Sequence, residues 1–307
     1  MKAVVCTRYG PPEVLELREL PEPAPRHNEV RIKSHATAVT SSDCIVRGFK
    51  IPPSVWILAR LVLGVSKPRR SVLGMVVAGD IDAVGKAVTS FKPGDRVFGF
   101  DHVGFGTYAE YKCLRADGIL ARKPSNLSYE EAAAIPYGGL LALHFLRVGT
   151  LSSGQNVLIY GASGAVGSAA VQLAKHFGAR VSGVSSGGNQ SLLKSLGADR
   201  VMDYTKEDFT KTGDRYDLIF IAVGNRVNPP LKADCRDALA HDGVYVSVDH
   251  GRPRLSARDL DLLKELVERG ILKPVIDRSY ALDEMVEAHR YVDAGHKRGN
   301  VVIRVTA

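Results

Sequence analysis

The chain of 307 residues is 45% hydrophobic and 24% charged, a composition typical of a globular enzyme with one large core or two smaller ones. Its formal net charge is +8, but the one dense basic cluster, KPRR at residues 67–70, has no interleaved aromatic residues of the kind that nucleic-acid binding favours. The apolar run at residues 55–65 is too short to span a bilayer and contains Arg60, so we expect neither a nucleic-acid nor a membrane partner.

The first 115 residues contain short runs typical of strands, separated by prolines and turn residues. These runs lie at residues 3–5, 15–17, 30–32, 76–84, 96–98 and 109–111. Short strands at irregular spacing predict a barrel-like, all-β unit. The N-terminus enters a strand pattern without a signal peptide, and the four cysteines are too scattered to form a CxxC ligand pair. We therefore expect reduced thiols and a cytoplasmic protein.

From about residue 125 the pattern changes to alternating helices and strands. A helix is predicted at 128–146, with Ser128 as its N-cap. Strands are then predicted at 156–160, 180–184, 200–203, 216–222 and 243–248, and helices at 166–177, 189–196, 229–240 and 257–269. This alternation predicts a parallel sheet covered by helices. The tail, with strands at 273–280 and 300–305 around a helix at 283–294, is expected to rejoin the first unit, because its last strand needs a sheet to pair with.

A glycine-containing turn joins the first strand of this second half to its helix, in the sequence GQNVLIYGASGAVGSAAVQLAK at residues 154–175. Strand, small-residue turn and helix form the context that a dinucleotide-binding loop requires. The small residues let the backbone approach a pyrophosphate, and the helix N-terminus offers it unpaired N–H groups. The alternative is a tight turn without a ligand. The predicted cofactor-binding residues of this turn are Ala162, Ser163, Gly164, Ala165, Val166 and Gly167.

With these features in place, the whole chain resembles the zinc-independent, zeta-crystallin-like quinone oxidoreductases of the medium-chain dehydrogenase/reductase superfamily. The resemblance is carried by residues 74–79 (GMVVAG) and 82–85 (DAVG), residues 91–99 (FKPGDRVFG), the glycine turn, and the tail at 288–302. It implies an α/β protein with a GroES-like β-barrel domain at 1–120, a Rossmann-type parallel-sheet domain at 121–270, and a segment at 271–307 that rejoins the GroES-like domain. It also implies a cleft between the domains for nicotinamide and substrate. Ala165 departs from the family pattern, where glycine is usual, and so does Asn300, where lysine is commoner.

The positions that hold catalytic zinc in related alcohol dehydrogenases carry no suitable ligands in this sequence. The first ligand position maps to Thr40, and the His-Glu pair of the zinc enzymes maps to Met75 and Val76. The region of the third ligand reads IPYGG at residues 135–139. A catalytic zinc needs about three Cys, His or carboxylate ligands. The sequence therefore predicts no metal.

The cofactor is predicted to be NADPH rather than NADH. A site that prefers NADH places an acid at the end of its second strand, whereas the strand at 180–184 is followed by Ser185, Ser186 and Asn189. These side chains suit a 2′-phosphate, although the loop lacks the expected Arg or Lys, and the alternative is a loop that tolerates either cofactor. By the resemblance, Tyr204 lies near the adenosine, and the backbone of Ala222, Val223 and Gly224 lies along the nicotinamide ribose.

The resemblance places two residues near the reacting groups. Thr40 stands where many quinone reductases carry an asparagine, and Tyr137 is the candidate hydroxyl near the substrate, with a buried core phenol as the alternative. The segment at 49–65 is expected to be a hydrophobic substrate wall or, equally well, a core helix.

The function predicted is NADPH-dependent hydride transfer to a quinone or an α,β-unsaturated carbonyl, because conjugated acceptors need less activation than plain ones. The alternatives are a zinc-free alcohol or carbonyl reductase and a non-enzymatic NADPH-binding protein. Dimers are common in the family, so a homodimer is also expected.

Overall fold

The computed structural model describes residues 1–53, 56–224, 230 and 232–306. In chain order the strands are β1 (Lys2–Cys6), β2 (Leu15–Glu19), β3 (Glu29–Val39), β4 (Val76–Val84), β5 (Arg96–Phe100), β6 (Tyr111–Arg115), β7 (Ile119–Arg122), β8 (Asn156–Tyr160), β9 (Arg180–Ser185), β10 (Arg200–Asp203), β11 (Tyr216–Ile221), β12 (Leu239–Ser247), β13 (Ile276–Ala281) and β14 (Asn300–Arg304). The helices are α1 (Ser41–Gly48), α2 (Trp56–Leu63), α3 (Tyr129–Ala133), α4 (Pro136–Val148), α5 (Ala165–His176), α6 (Gln190–Ser195), α7 (Ala257–Glu268) and α8 (Met285–Asp293).

The chain divides into two compact units. The first comprises Met1–Pro136, Ser256–Asp261 and the residues from Ile276 onward, and the second comprises Tyr137–Leu255 and Leu262–Val275. The first unit contains the antiparallel pair β1-β2 and a sheet of order β13-β14-β3-β4-β5-β7, with β6 also paired to β3. Its core lies between these strands and includes Val30, Ile32 and Val77. The C-terminal strand β14 pairs antiparallel with β3, with Val301 opposite Val39.

The second unit is a parallel sheet of order β10-β9-β8-β11-β12. Its strands are joined through helices such as α5 and α6, as the alternating pattern predicts. Leu158, Ile219 and Ile221 are fully buried in its core. Strands buried on both faces read as continuous apolar runs, which is why the sequence locates them well. The predicted α/β architecture, with a β-rich unit and a parallel-sheet unit, is confirmed.

The helix predicted at 229–240 is wrong over the residues described there. Residues 236–238 form a single 3-10 turn, and β12 begins at Leu239. Leu239 pairs with Tyr216 of β11, and the register then shifts before Leu218 pairs with Val244. Pairing with the neighbouring strand outweighs the local helical pattern, which is a common outcome for a weak propensity signal.

The helix predicted at 128–146 is two helices, α3 and α4. Ser128 is the N-cap of α3, as predicted, in a capping box with Glu131. The break precedes Pro136, the first residue of α4, because proline has no N–H to donate and disfavours a helical conformation in the residue before it. The strand predicted at 109–111 is also displaced, since β6 begins at Tyr111 and Ala109 makes only an isolated bridge with Ala3.

The apolar segment at 49–65 contains α2, and none of the residues of α2 is buried. The interpretation of this segment as a core helix is therefore wrong. No helix in the described ranges is long and apolar enough to cross a membrane.

Candidate cofactor site

The carboxyl ends of three neighbouring strands lie level in the parallel sheet. Tyr160, the last residue of β8, is in register with Val184 of β9 on one side and with Ile221 of β11 on the other. The strand order reverses between β8 and β11, and open α/β sheets bind ligands at such a switch point. The loops that follow β8, β9 and β11 therefore meet at one edge of the sheet.

The loop after β8 is the predicted glycine turn. Gly161 has a φ of 76°, a conformation that favours glycine, and a Cβ there would meet Val223 Cγ1 at 2.2 Å. Gly164 is the N-cap of α5 and offers no side-chain cap. The first N–H groups of a helix lack intrahelical partners, so those of α5 are available to an anion at this end.

The two remaining glycines of the turn have different surroundings. A Cβ on Gly164 would meet nothing closer than the carbonyl oxygen of Gly161 at 3.6 Å. A Cβ on Gly167 would lie 2.2 Å from that same oxygen and 2.6 Å from Ala162 Cα. Gly167 is thus required for packing of the turn against α5, whereas Gly164 leaves open space before the helix N-terminus. Open space at this position fits a pyrophosphate.

The loop after β9 is tied to the glycine turn by one amide. Asn189 Nδ2 donates to Ser163 Oγ at 3.2 Å and to Ser186 Oγ at 3.0 Å. Asn189 Oδ1 is buried and has no hydrogen-bond partner in the part of the chain that the structure describes. Buried acceptors are ordinarily satisfied, so this oxygen suits a site completed by a ligand. Ser185, in contrast, is buried and its hydroxyl donates to the Ser186 carbonyl at 3.1 Å.

A carboxylate that sequence reasoning missed lies beneath the same loop. Asp203, the last residue of β10, pairs in register with Ser185 and is buried. Its Oδ1 accepts from the N–H of Thr205 at 3.0 Å and from Thr205 Oγ1 at 2.7 Å, and these hydrogen bonds lower the pKa of the carboxyl. A Cβ on Gly187 would meet Asp203 Oδ2 at 2.3 Å, so the loop passes directly over this acid. Its signal in the sequence is an acid at the end of the third strand of this unit, β10, and not of the second.

Aromatic residues and a short backbone segment complete this edge. Tyr204 is half exposed, and its ring lies 6.1 Å from that of Tyr160. Ala222 follows β11, and its N–H donates to the Tyr160 carbonyl at 2.9 Å. Val223 packs over Gly161, and Gly224 is the last residue described before the segment at 225–229. The structure therefore brings all the predicted cofactor residues to one edge of one unit.

Thr40 lies in the other unit, where it is the buried N-cap of α1. Its hydroxyl accepts from the N–H of Asp43 at 3.2 Å and lies 2.7 Å from Asp43 Oδ2, to which it donates. Asp43 also accepts from the N–H of Gly74 at 3.2 Å. Burial raises the pKa of Asp43 to about 6, although these hydrogen bonds oppose the shift. The proton of the Thr40 hydroxyl is therefore already engaged within the protein.

Tyr137 and the residues at the mapped zinc positions differ in burial. Tyr137 is the second residue of α4 and is partly exposed. Met75 and Val76 are buried at the start of β4. Among the described residues, no group of three or more His, Cys, Asp or Glu side chains is placed to hold a metal ion.

Each half of the chain matches a known family of dehydrogenase domains. Residues 26–125 match the alcohol dehydrogenase GroES-like domain, and residues 165–285 match the zinc-binding dehydrogenase domain. The second match begins at Ala165, within the glycine turn, and covers β9, β10 and β11 but not β8.

Relatives and solved structures match over nearly the whole chain. A 2-methylene-furan-3-one reductase of Solanum lycopersicum is 35% identical over 99% of this chain and 79% of its own length. An NADPH-dependent alkenal/one oxidoreductase of Arabidopsis thaliana, a chloroplastic protein, is 31% identical over 99% of this chain and 79% of its own length. The structure of the quinone oxidoreductase from Coxiella burnetii superposes with a TM-score of 0.85 at 30% identity, covering 100% of this chain and 99% of that one.

Proposed function

The chain belongs to the quinone oxidoreductases of the medium-chain dehydrogenase/reductase superfamily, and we propose that it is an NADPH-dependent reductase of quinones or α,β-unsaturated carbonyls. As an oxidoreductase of this family it uses a nicotinamide cofactor. The observation that carries the proposal is the anion cradle before α5, where Gly164 leaves room that a side chain would fill. Relatives that match nearly the whole chain include proteins named as reductases of a 2-methylene-furan-3-one, of alkenals and enones, and of quinones.

When bound, NADPH supplies a hydride from its nicotinamide ring. The residues of the chain would hold it by the N–H groups of Ala165, Val166 and Gly167 at the helix N-terminus, which suit the pyrophosphate. Ser163 and Ser186, held together by Asn189, would face the adenosine ribose.

The proposed preference for NADPH rests on two features: the loop after β9 contains no acidic residue, and the nearest acid, Asp203, lies beneath that loop. No acid follows β9, and the one beneath the loop, Asp203, is engaged with Thr205. Because this carboxylate is buried under Gly187 and its Oδ1 is engaged with Thr205, we assign it to support of the loop and not to a ribose diol. The Ser186 hydroxyl and the nearby N–H groups would then receive a 2′-phosphate.

The substrate class follows from the residues at the positions that bind zinc in related enzymes. Thr40 and Met75 replace ligands, and neither side chain binds zinc in the manner of Cys, His or carboxylate. We therefore propose zinc-independent chemistry with an acceptor whose developing charge is delocalised. Tyr137 is the proposed hydroxyl donor to the acceptor oxygen. Thr40, whose proton is engaged by Asp43, would instead shape the site. A cytoplasmic location and a homodimer stay predictions.

The test is a screen of acceptors that follows NADPH absorbance, combined with deuterium-labelled NADPH. Quinones and enones should be reduced, and the label should appear on the β-carbon of an enone product. Tyr137→Phe should slow turnover by about tenfold or less without abolishing it. Label on the carbonyl carbon, or turnover of a saturated ketone but not of its enone, would support a carbonyl reductase instead. Tight NADPH binding without oxidation by any acceptor would support a non-enzymatic role.

A further inference from the structure

The helix α2 is turned with its apolar side chains toward solvent. Ile57, Leu58, Leu61 and Val62 are 73%, 59%, 59% and 63% exposed, and Val65 beyond the helix is 71% exposed. Their spacing places them on one side of the helix. Single exposed apolar residues are ordinary, but a contiguous group of this size marks an interaction surface. We call these five residues the α2 face.

The opposite side of α2 is fixed to the protein by its one charged residue. The guanidinium carbon of Arg60 lies 4.0 Å from the ring centre of Phe49, 4.7 Å from that of Trp56 and 4.9 Å from that of Tyr9. Such cation–π contacts hold an arginine against aromatic rings. Tyr9 also donates from its hydroxyl to the Gly64 carbonyl at 3.0 Å, just after the helix. The outward orientation of the α2 face is therefore set by these inward contacts.

The chain segment that carries the α2 face contains basic residues and no acidic ones. Between Asp43 and Asp80 the sequence contains six basic residues and no acid. Lys67, Arg69 and Arg70 are exposed directly after the helix. An exposed apolar helix face flanked by basic side chains is the arrangement that binds the surface of an anionic bilayer.

A second copy of the chain is a poorer occupant of this face. A symmetric dimer would bring the two α2 faces together, and with them the two basic segments at 67–70, with no acid from this region to neutralise them. An anionic lipid surface satisfies both the apolar and the basic groups. The sequence predicted no membrane partner because no segment can span a bilayer, but lying on the surface requires no spanning segment.

We propose that the α2 face and the basic residues after it dock the protein on the surface of an anionic lipid bilayer. The proposal is independent of the reductase activity, because it rests on the exposure and charge of a segment outside the cofactor edge. Insertion would place the leucines among the acyl chains and the basic side chains at the lipid headgroups.

The experiment uses the intrinsic fluorescence of Trp56, which is the single tryptophan of the chain and lies in α2. Full-length protein is mixed with vesicles of phosphatidylcholine alone or with added phosphatidylglycerol. We expect a blue shift and co-sedimentation with the anionic vesicles, quenching by brominated lipid, and loss of binding at high salt. The double variant Leu58→Ser/Leu61→Ser should weaken binding by about tenfold or more. Lys67→Gln/Arg69→Gln should weaken binding to anionic vesicles only.

The matched controls are Val103→Ser, which changes a residue with 73% exposure elsewhere on the surface, and Lys86→Gln, which removes an exposed charge. Both should bind vesicles as the unmodified protein does. No shift of Trp56 with anionic vesicles would overturn the proposal. A dimer in lipid-free solution that dissociates when Leu58 and Leu61 are replaced would assign the face to a second copy. A change in KM for the acceptor, without vesicle binding, would assign it to the substrate.

Discussion

The three glycines of the glycine turn have different roles. Gly161 needs its positive φ, Gly167 packs against the turn, and Gly164 alone faces open space. A pattern of small residues in the sequence does not separate these roles, because it records size and not surroundings. The three positions therefore give different expectations for the same substitution.

Gly164→Val should weaken NADPH binding by about tenfold or more while leaving the free energy of unfolding within about 1 kcal/mol, because the new side chain meets ligand space and not protein. Gly164→Ala should show a smaller loss. Gly167→Val should lower the free energy of unfolding by about 2 kcal/mol or more, since its Cβ would overlap backbone. Calorimetric titration and urea unfolding measure the two effects, and normal NADPH binding by Gly164→Val would remove the site assignment.

Ser186 provides the test of cofactor preference. Ser185 is buried and donates to a carbonyl, whereas Ser186 is less buried and is held by Asn189. Ser186→Asp should weaken NADPH binding by about tenfold through repulsion of the 2′-phosphate, with a smaller effect on NADH. Ser186→Ala is the control that removes the hydroxyl without adding charge. Equal losses for both cofactors, or tighter NADH binding by the unmodified protein, would contradict the preference.

At the scale of elements, α1 depends on one capping interaction. Thr40 and Asp43 form a reciprocal capping box, and Asp43 extends it to the N–H of Gly74 before β4. The cap therefore fixes the start of the helix and also the turn that leads into the strand. A helix this short gains little from propensity and depends on its cap and packing.

Thr40→Ala should lower the free energy of unfolding by about 1–2 kcal/mol, because it removes the N-cap acceptor and leaves Asp43 without one donor. Thr40→Ser keeps both hydrogen bonds and should restore most of the stability. Urea unfolding measures the difference. If turnover falls equally in both variants while stability does not change, Thr40 acts on the substrate and not as a cap.

At the scale of the whole chain, the C-terminal helix α8 is joined to α1 by buried polar contacts. Arg47, with 1% of its side chain exposed, pairs with Asp293 and donates to His289 Nδ1 at 3.1 Å. Cys44 Sγ lies 3.4 Å from the same nitrogen. Burial, with a further contribution from the charge of Arg47, lowers the pKa of His289 from 6.5 to about 3.

This buried histidine should make folding sensitive to acid. Unfolded His289 takes up a proton below pH 6.5 and the folded form does not until about pH 3, so its contribution to stability falls as pH falls through this window. At pH 5 the loss relative to pH 7.5 should be about 2 kcal/mol. His289→Gln should be less stable than the unmodified protein at pH 7.5 and should lose less stability at pH 5.

Asp43 has the opposite effect on stability. Its pKa is raised in the folded state, so its contribution to stability grows as pH falls from about 6 toward 3.8. It is present in both proteins, so the difference between their urea unfolding curves at the two pH values isolates the histidine. An identical pH dependence for both proteins would show that His289 is not the source of acid sensitivity.

The sequence by itself determined the strands of the parallel sheet, the glycine turn and the family. These depend on local patterns: β8 and β10 lie where their apolar runs predict, and the turn is contiguous in the chain. The zinc positions could also be compared directly, because Thr40 and Met75 are unsuitable ligands in any conformation.

The tertiary structure alone decided which of these residues act together. Asn189 joins Ser163 to Ser186, and Asp203 lies under the loop after β9, because parallel pairing brings the ends of separate strands to one edge. Residues 239–247 form β12 because β11 offers a pairing edge, which a local helical pattern does not reveal. The apolar side of α2 faces outward because Arg60, on its other side, packs on the rings of Tyr9 and Phe49 outside the helix. Periodicity shows that a helix has an apolar side, but only packing decides whether that side is covered.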